Sequence, residues 1–226
     1  MIKPDFSEKS VKIAISTLAD GNMRVFGAED KAKIIENQAK LGASIDLNRE
    51  NIARIHTTYD TRTDYTRYFE ITRENLKDFI ITKEESAIPI SDGLYTKIQG
   101  VGLLLPIADC LGIVVYDPET EILGLIHSGR QNLEQQGAAK FIQNLADKEG
   151  VNPAGLKIYF SPCARNYQIY SLDNQTIPKA ARAQLLSAGV NLENIIESEI
   201  DVAKDPRFPS ASSGDKTTRF AIVVAK

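Results

Sequence analysis

Val101-Gly-Leu-Leu-Leu-Pro-Ile-Ala-Asp-Cys-Leu-Gly-Ile-Val-Val-Tyr-Asp-Pro-Glu-Thr-Glu-Ile-Leu-Gly-Leu-Ile-His127 is the stretch on which the reading of this chain turns. Val101–Ile107 and Gly112–Tyr116 are near-continuous apolar runs of strand length, the pattern of strands buried on both faces. Asp117–Thr120 is rich in turn formers, and Glu121–His127 reads as the return strand of a hairpin. Pairing Tyr116 with Glu121 sets Cys110 opposite His127. Directly opposed residues carry their Cβ atoms about 4.5–5.5 Å apart on one face. The same stretch carries Pro106 and Asp109, and it is too short for a membrane span.

Outward from this centre, short elements alternate. Val11–Ser16, Asn51–His56, Tyr65–Ile71, Phe79–Thr82, Leu156–Phe160 and Thr217–Ala225 read as strands. Helices are expected over Asp30–Leu41, with Ala32, Ile35 and Ala39 on the inner face and Gly42 just past the end, and over Gln131–Glu149. In the second, Ala138, Phe141, Ile142 and Leu145 follow the i, i+3, i+4, i+7 rule, and Gly150 sits at the C′ position. Pro178–Ala188 is a third helix, closed by Gly189. There is no repeat and no long linker. The expectation is one α+β domain over residues 1–226.

Composition narrows the function. A chain of 226 residues buries roughly 70% of its extended surface and needs no staples. The net charge of −3 provides no basic field for nucleic acid. Two cysteines, Cys110 and Cys163, make no disulfide framework, which favours a reducing compartment. The start Met1-Ile-Lys-Pro-Asp has no apolar signal core, so a cytoplasmic location is expected, with no membrane partner.

Cys110 beside His127 admits three uses. The two can form a nucleophile and base, two ligands of a metal, or a pair of packing neighbours, since cysteine is often buried. The chain has only two histidines. The other, His56, ends a short apolar strand. Two imidazoles and a thiolate suit Zn²⁺ and leave a fourth position open, as in catalytic zinc sites. His56 alone also reads as a hydrogen-bonded strand-end residue. Asp109 either orients a ligated imidazole from outside or caps local backbone N–H groups at the strand end. Arg130 stands where a helix begins directly after His127, an arrangement that suits an anion but also begins many helices that bind nothing.

These residues resemble the YfiH-type laccase-domain family, described as purine nucleoside phosphorylases with adenosine deaminase activity. Asp92-Gly93, Ala108-Asp109-Cys110 and His127-Ser128-Gly129 match its central motifs, and His56 matches an earlier family histidine. Asp20-Gly21-Asn22-Met23 is similar to its N-terminal Asp-Gly-Asn-Met element. Ser161-Pro162-Cys163, Phe208-Pro209-Ser210 and Thr218-Arg219-Phe220 resemble later ones. Arg130-Gln131 replaces the family's Trp-Arg, Ser161 replaces a Gly, and a C-terminal Cys-Thr and double Arg are not recognisable.

The resemblance implies layered mixed sheets flanked by helices, a fold also related to Cys–His deamidase toxins. It implies metal ligation by His56, Cys110 and His127, with zinc expected ahead of copper, because one thiolate and two imidazoles do not supply a laccase's several copper centres. It further implies phosphorolysis of adenosine, inosine or methylthioadenosine, and adenosine deamination on the same ligand set. Asp92 or Asp109 would serve as the acid, and Arg130, Asn22 and Arg219 as substrate contacts. Cys110 and His127 would serve in catalysis. A monomer or homodimer is expected. The competing readings are a metal-free Cys–His hydrolase and a nucleoside-binding protein without activity.

Overall fold

The computed structural model describes residues 1–25, 27–58 and 63–226. In chain order the elements are β1 (Lys12–Ile15), α1 (Lys31–Ala43), β2 (Ile52–Arg54), β3 (Tyr68–Glu70), α2 (Leu76–Phe79), β4 (Gly93–Thr96), β5 (Gly102–Ile107), β6 (Leu111–Tyr116) and β7 (Leu123–Ser128). There follow α3 (Arg130–Glu134), α4 (Gly137–Glu149), β8 (Lys157–Phe160), β9 (Gln168–Ile169), β10 (Gln175–Thr176), α5 (Ile177–Ser187), β11 (Ile195–Glu197) and β12 (Phe220–Ala225). One mixed sheet runs β1-β12-β5-β2, a second runs β11-β8-β6-β7-β4-β3, and β9 pairs with β10.

Strand alternation sorts the side chains into layers. Ile13, Ile15, Leu103, Leu105, Ile222 and Val224 of the first sheet meet Leu94, Val114, Leu123, Leu125 and Tyr159 of the second. The far face of the second sheet, with Ile113, Val115, Ile126, Ile158 and Phe160, packs on α4 and α5. The far face of the first sheet, with Ala14, Ile52, Leu104 and Val223, packs on Leu41 of α1. The result is helix, sheet, sheet, helices, an α+β fold of the expected kind. Among the described residues no helix is long and apolar enough to cross a membrane.

The central hairpin forms with its turn two residues longer than expected. Tyr116 pairs with Leu123 and Gly112 with His127, so Cys110 is not the direct partner of His127. Asp117 causes the shift. It is buried, its N–H donates to the Ile122 carbonyl at 2.9 Å, and its carboxylate accepts from the Glu119 and Thr120 N–H groups and the Thr120 hydroxyl. Glu121 turns the chain with φ of 56°. A shift of two residues preserves the face on which each side chain lies, whereas a shift of one would have inverted it.

Three further expectations are corrected. Helix α1 buries Ile34, Asn37, Gln38 and Leu41 rather than Ala32, Ile35 and Ala39. The buried amides are satisfied, Gln38 donating to the Met23 carbonyl at 2.7 Å and Asn37 to the Asn22 carbonyl at 3.0 Å, so a polar pair hid the inner face from hydropathy. Gly42 lies inside α1, where a Cβ would come 2.3 Å from Ile52 Cδ1. The single helix over 131–149 is two, broken at Gln136, whose φ is 60°. There Gln135 turns outward, accepting from the Tyr65 N–H at 2.9 Å and donating to the Thr63 carbonyl at 2.6 Å. Phe79–Thr82 is not a strand: Phe79 ends α2, and Ile80 makes one isolated bridge to Ala53.

Phe141 of α4 is fully buried and meets Tyr68 and Tyr95 edge-on, at centroid distances of 5.0 and 6.3 Å. A Cβ on Gly124 of β7 would lie 2.8 Å from its ring, so sheet and helix are in direct contact there. Phe141→Ala is expected to cost about 3–5 kcal/mol of stability. Urea unfolding measures it, and a loss under about 1 kcal/mol would show that the packing does not matter.

Candidate active site

The sheet directions bring every candidate residue to one edge. The carboxyl ends of β1, β2, β5, β7 and β8 and the amino ends of β4, β6 and β12 all open there. Asn22 follows β1, His56 follows β2, and Asp92 precedes β4. Asp109 and Cys110 join β5 to β6, Arg130 follows β7, and Arg219 precedes β12. Residues 197 positions apart in sequence thus share one rim, as in the Asn22–Arg219 hydrogen bond.

At the centre lie the thiol and the imidazole. A Cβ on Gly129 would be 2.8 Å from Cys110 Sγ and 3.2 and 3.3 Å from Cε1 and Nε2 of His127. Both reactive groups therefore converge on one glycine. Gly129 has extended backbone, with φ of −101°, so its requirement is room rather than conformation. His127 is buried and Cys110 half-buried.

His56 follows β2, which pairs with β5 in the other sheet. Its Nδ1 lies 3.0 Å from the Ile88 carbonyl, its N–H contacts Ser91 Oγ at 3.4 Å, and its carbonyl accepts from the Ser91 N–H at 2.9 Å. An Nδ1–H donated to a carbonyl leaves Nε2 with its lone pair, the state a metal ligand requires. Among the described residues, however, no three His, Cys, Asp or Glu side chains stand close enough to hold an ion. The donor set suits zinc chemically, and two of its three members are together.

The two aspartates hold chain segments. The Asp92 carbonyl accepts from the His127 N–H at 2.7 Å, while its carboxylate accepts from the Arg67 N–H at 3.2 Å. Asp109 accepts from the Ser210 hydroxyl at 2.6 Å and the Ser212 N–H at 2.7 Å. It thereby clasps the Ser210–Ser212 loop to the strand start bearing Cys110, a tie to backbone a hundred residues away rather than the local capping expected.

The substrate contacts are also partly engaged. Asn22 Oδ1 accepts from the backbone N–H groups of Arg24 and Arg219 at 2.9 and 3.0 Å, and an open cleft of about 750 Å³ lies between its loop and α1. The Arg219 guanidinium donates to the Thr218 carbonyl at 2.7 Å. Arg130 is half exposed and faces Glu134 at 3.5 Å. It opens a helix of only five residues, so the expected long helix does not stand behind it.

Two residues here escaped sequence reasoning, and Ser210 was noted only as part of a motif, with no role. Ser212 lies in a polar loop with no periodic signal. Asn132 is buried and donates to the Tyr65 carbonyl at 2.7 Å, tying the segment after His56 to α3. Its place directly downstream of the His127 motif was the available clue.

A two-sheet sandwich with a Cys–His edge of this kind defines a known class. The description "multi-copper polyphenol oxidoreductase laccase" matches residues 6–177, and the chain belongs to that family. It is 27% identical over 152 residues to purine nucleoside phosphorylase YlmD of Bacillus subtilis, a match covering 65% of this chain and 54% of that protein. The chain thus spans about half the length of that relative. It is 19% identical over 204 residues to adenosine deaminase RL5 of an unknown prokaryotic organism, covering 79% of this chain and 75% of that one. The crystal structure of YlmD from Geobacillus stearothermophilus superposes with a TM-score of 0.83 at 18% identity, covering 96% of this chain and 92% of that chain. That of Bacillus licheniformis YfiH gives 0.81 at 18% identity, covering 95% and 92%. These structural likenesses concern the fold.

The two thiols differ in setting. Cys163 is fully buried, and burial pushes its thiol up to about 12. In chelator-treated protein at pH 8, one thiol per chain, Cys110, is expected to react rapidly with a disulfide reagent. Cys163 should react only in urea. Two fast thiols, or none in Cys163→Ser, would contradict this.

Proposed function

We propose that this chain is a zinc-dependent purine nucleoside enzyme of the cytoplasm that cleaves adenosine, inosine or methylthioadenosine with inorganic phosphate and also deaminates adenosine. The observation that carries the proposal is the convergence of Cys110 and His127 on Gly129, at the edge where the other candidate residues collect. The names of the YlmD and RL5 relatives supply the substrate class.

His56, Cys110 and His127 would hold the ion. A zinc ion there supplies Lewis acidity at an open coordination position. The chain's own residues do the rest. Ile88 orients the His56 ring, and Asp92, through its carbonyl, fixes the backbone of His127. Asp109 keeps the Ser210–Ser212 loop against the Cys110 turn. Arg130 holds phosphate: its contact with Glu134 is at the limit of a hydrogen bond and exposed, so it competes weakly with a doubly charged oxyanion. Asp92 and Asp109 are the carboxyl groups at hand to give a proton to the departing base.

Cys110→Ala and His127→Ala are expected to purify with little zinc, whereas the parent and Cys163→Ser carry about one ion per chain, measured by elemental analysis. Equal zinc in all four proteins would refute the ligand set. The nearness of thiol and imidazole also suits a metal-free Cys–His hydrolase, and a metal-free parent with full nucleoside turnover would favour that reading.

Losing a charge-assisted Arg contact of about 1.5–3 kcal/mol corresponds to roughly ten- to a hundred-fold in affinity. Arg130→Ala is therefore expected to raise the KM for phosphate by that factor at unchanged zinc content. Steady-state kinetics with varied phosphate checks it, and an unchanged KM removes Arg130 from the site.

A further inference from the structure

At the pole opposite the Cys–His edge lies a cleft of about 430 Å³. Its walls come from the amino ends of β1 and β5, the turn after α1, the carboxyl ends of β4, β6 and β12, and the turn holding Glu121. Four ammonium groups line it, those of Lys9, Lys12, Lys97 and Lys226, against the two carboxylates of Asp46 and Glu121. The lining of the cleft thus carries more ammonium groups than side-chain carboxylates, in a chain whose net charge is −3.

Lys226 is the unusual member. Its side chain is 6% exposed, and its ion-pair partner among the described residues is Glu121 Oε2 at 3.9 Å, beyond hydrogen-bond distance. An ammonium has three donors and no acceptor. The stem is covered while the ammonium reaches the cleft, and partial desolvation holds this amine below its ordinary pKa. The outer lysines are already partly engaged, Lys12 with Asp46 and Lys97 with Glu149, each at 2.6 Å. The exposed Lys12–Asp46 pair contributes little and exchanges readily, whereas Glu149 is largely buried and holds Lys97 more firmly. Tyr116 and Ser10 add hydroxyls 3.4 Å apart, and Ile45, Leu47 and Ala225 add an apolar wall.

We propose that this cleft binds a small phosphorylated metabolite, with Lys226 as the inner anchor and Lys9, Lys12 and Lys97 at the rim. A phosphoryl group there replaces water as the acceptor for the Lys226 ammonium, whose ion-pair partner Glu121 stands 3.9 Å away. The apolar wall accepts the uncharged part of the ligand. The site stands apart from the nucleoside chemistry and does not rest on it.

Isothermal titration with pyrophosphate at low ionic strength tests the proposal. Parent protein should show saturable binding that weakens with added salt. Lys226→Met, which keeps the apolar stem, should bind at least ten-fold more weakly at unchanged nucleoside turnover. Lys97→Met, on the exposed rim, should show a smaller loss and serves if Lys226→Met does not fold. Arg130→Ala should bind as the parent does. Absence of binding by the parent overturns the proposal. So does binding that survives both lysine substitutions, or binding lost in Arg130→Ala alone, which would place the anion at the Cys–His edge.

Discussion

Three residues, Ala108, Asp109 and Cys110, take the chain from β5 in one sheet to β6 in the other. So short a link forces the edges of the two sheets to lie side by side. It also makes the corner between them a fixed place. The main chain there is tied twice, since the Asp109 carbonyl accepts from the Ala164 N–H at 2.8 Å and its carboxylate clasps Ser210 and Ser212. Cys110 is the residue at that corner. The return strand β7 ends beside it because the hairpin turn at Asp117 closes with six residues, and Gly129 lets the thiol and the imidazole come together.

This constraint explains the division of labour among the polar residues. Groups that chemistry would call catalytic are here engaged by backbone: Asp92 by Arg67, Asp109 by Ser212, Asn22 by Arg24 and Arg219. Buried or half-buried acceptors must be paired, and these loops lack regular ladders of their own. The same side chains that hold the loops thereby set the shape of the rim. Functional position and structural duty are not alternatives at such an edge.

The two ends of the sandwich differ in charge and in construction. The Cys–His edge is built from long loops laced together by aspartate and serine hydrogen bonds. The opposite end is built from tight turns and lined by lysines, and it owes its cleft to the stagger of the strand ends. The two poles lie a full strand length apart.

Much of this was legible in the chain itself. The apolar runs of Val101–Ile107 and Gly112–Tyr116 and the period-3.6 face of Phe141, Ile142 and Leu145 determined two buried strands and their covering helix, because burial selects apolar side chains wherever an element has no polar duty. The scarcity of histidine singled out His56 and His127. Tertiary structure alone decided the rest. The inner face of α1 is set by Asn37 and Gln38, whose amides are buried because partners from distant loops satisfy them, and hydropathy cannot register a partner. The register of the hairpin depended on how Asp117 caps its own turn, and the break after Glu134 on how Gln135 and Asn132 bind residues 63–65. The nearness of Cys110 and His127 was already expected from the hairpin, whereas the gathering of Asn22, His56, Asp92 and Arg219 at the same edge follows from strand direction and sheet order. Those are properties of packing between segments far apart in sequence, which no local pattern encodes.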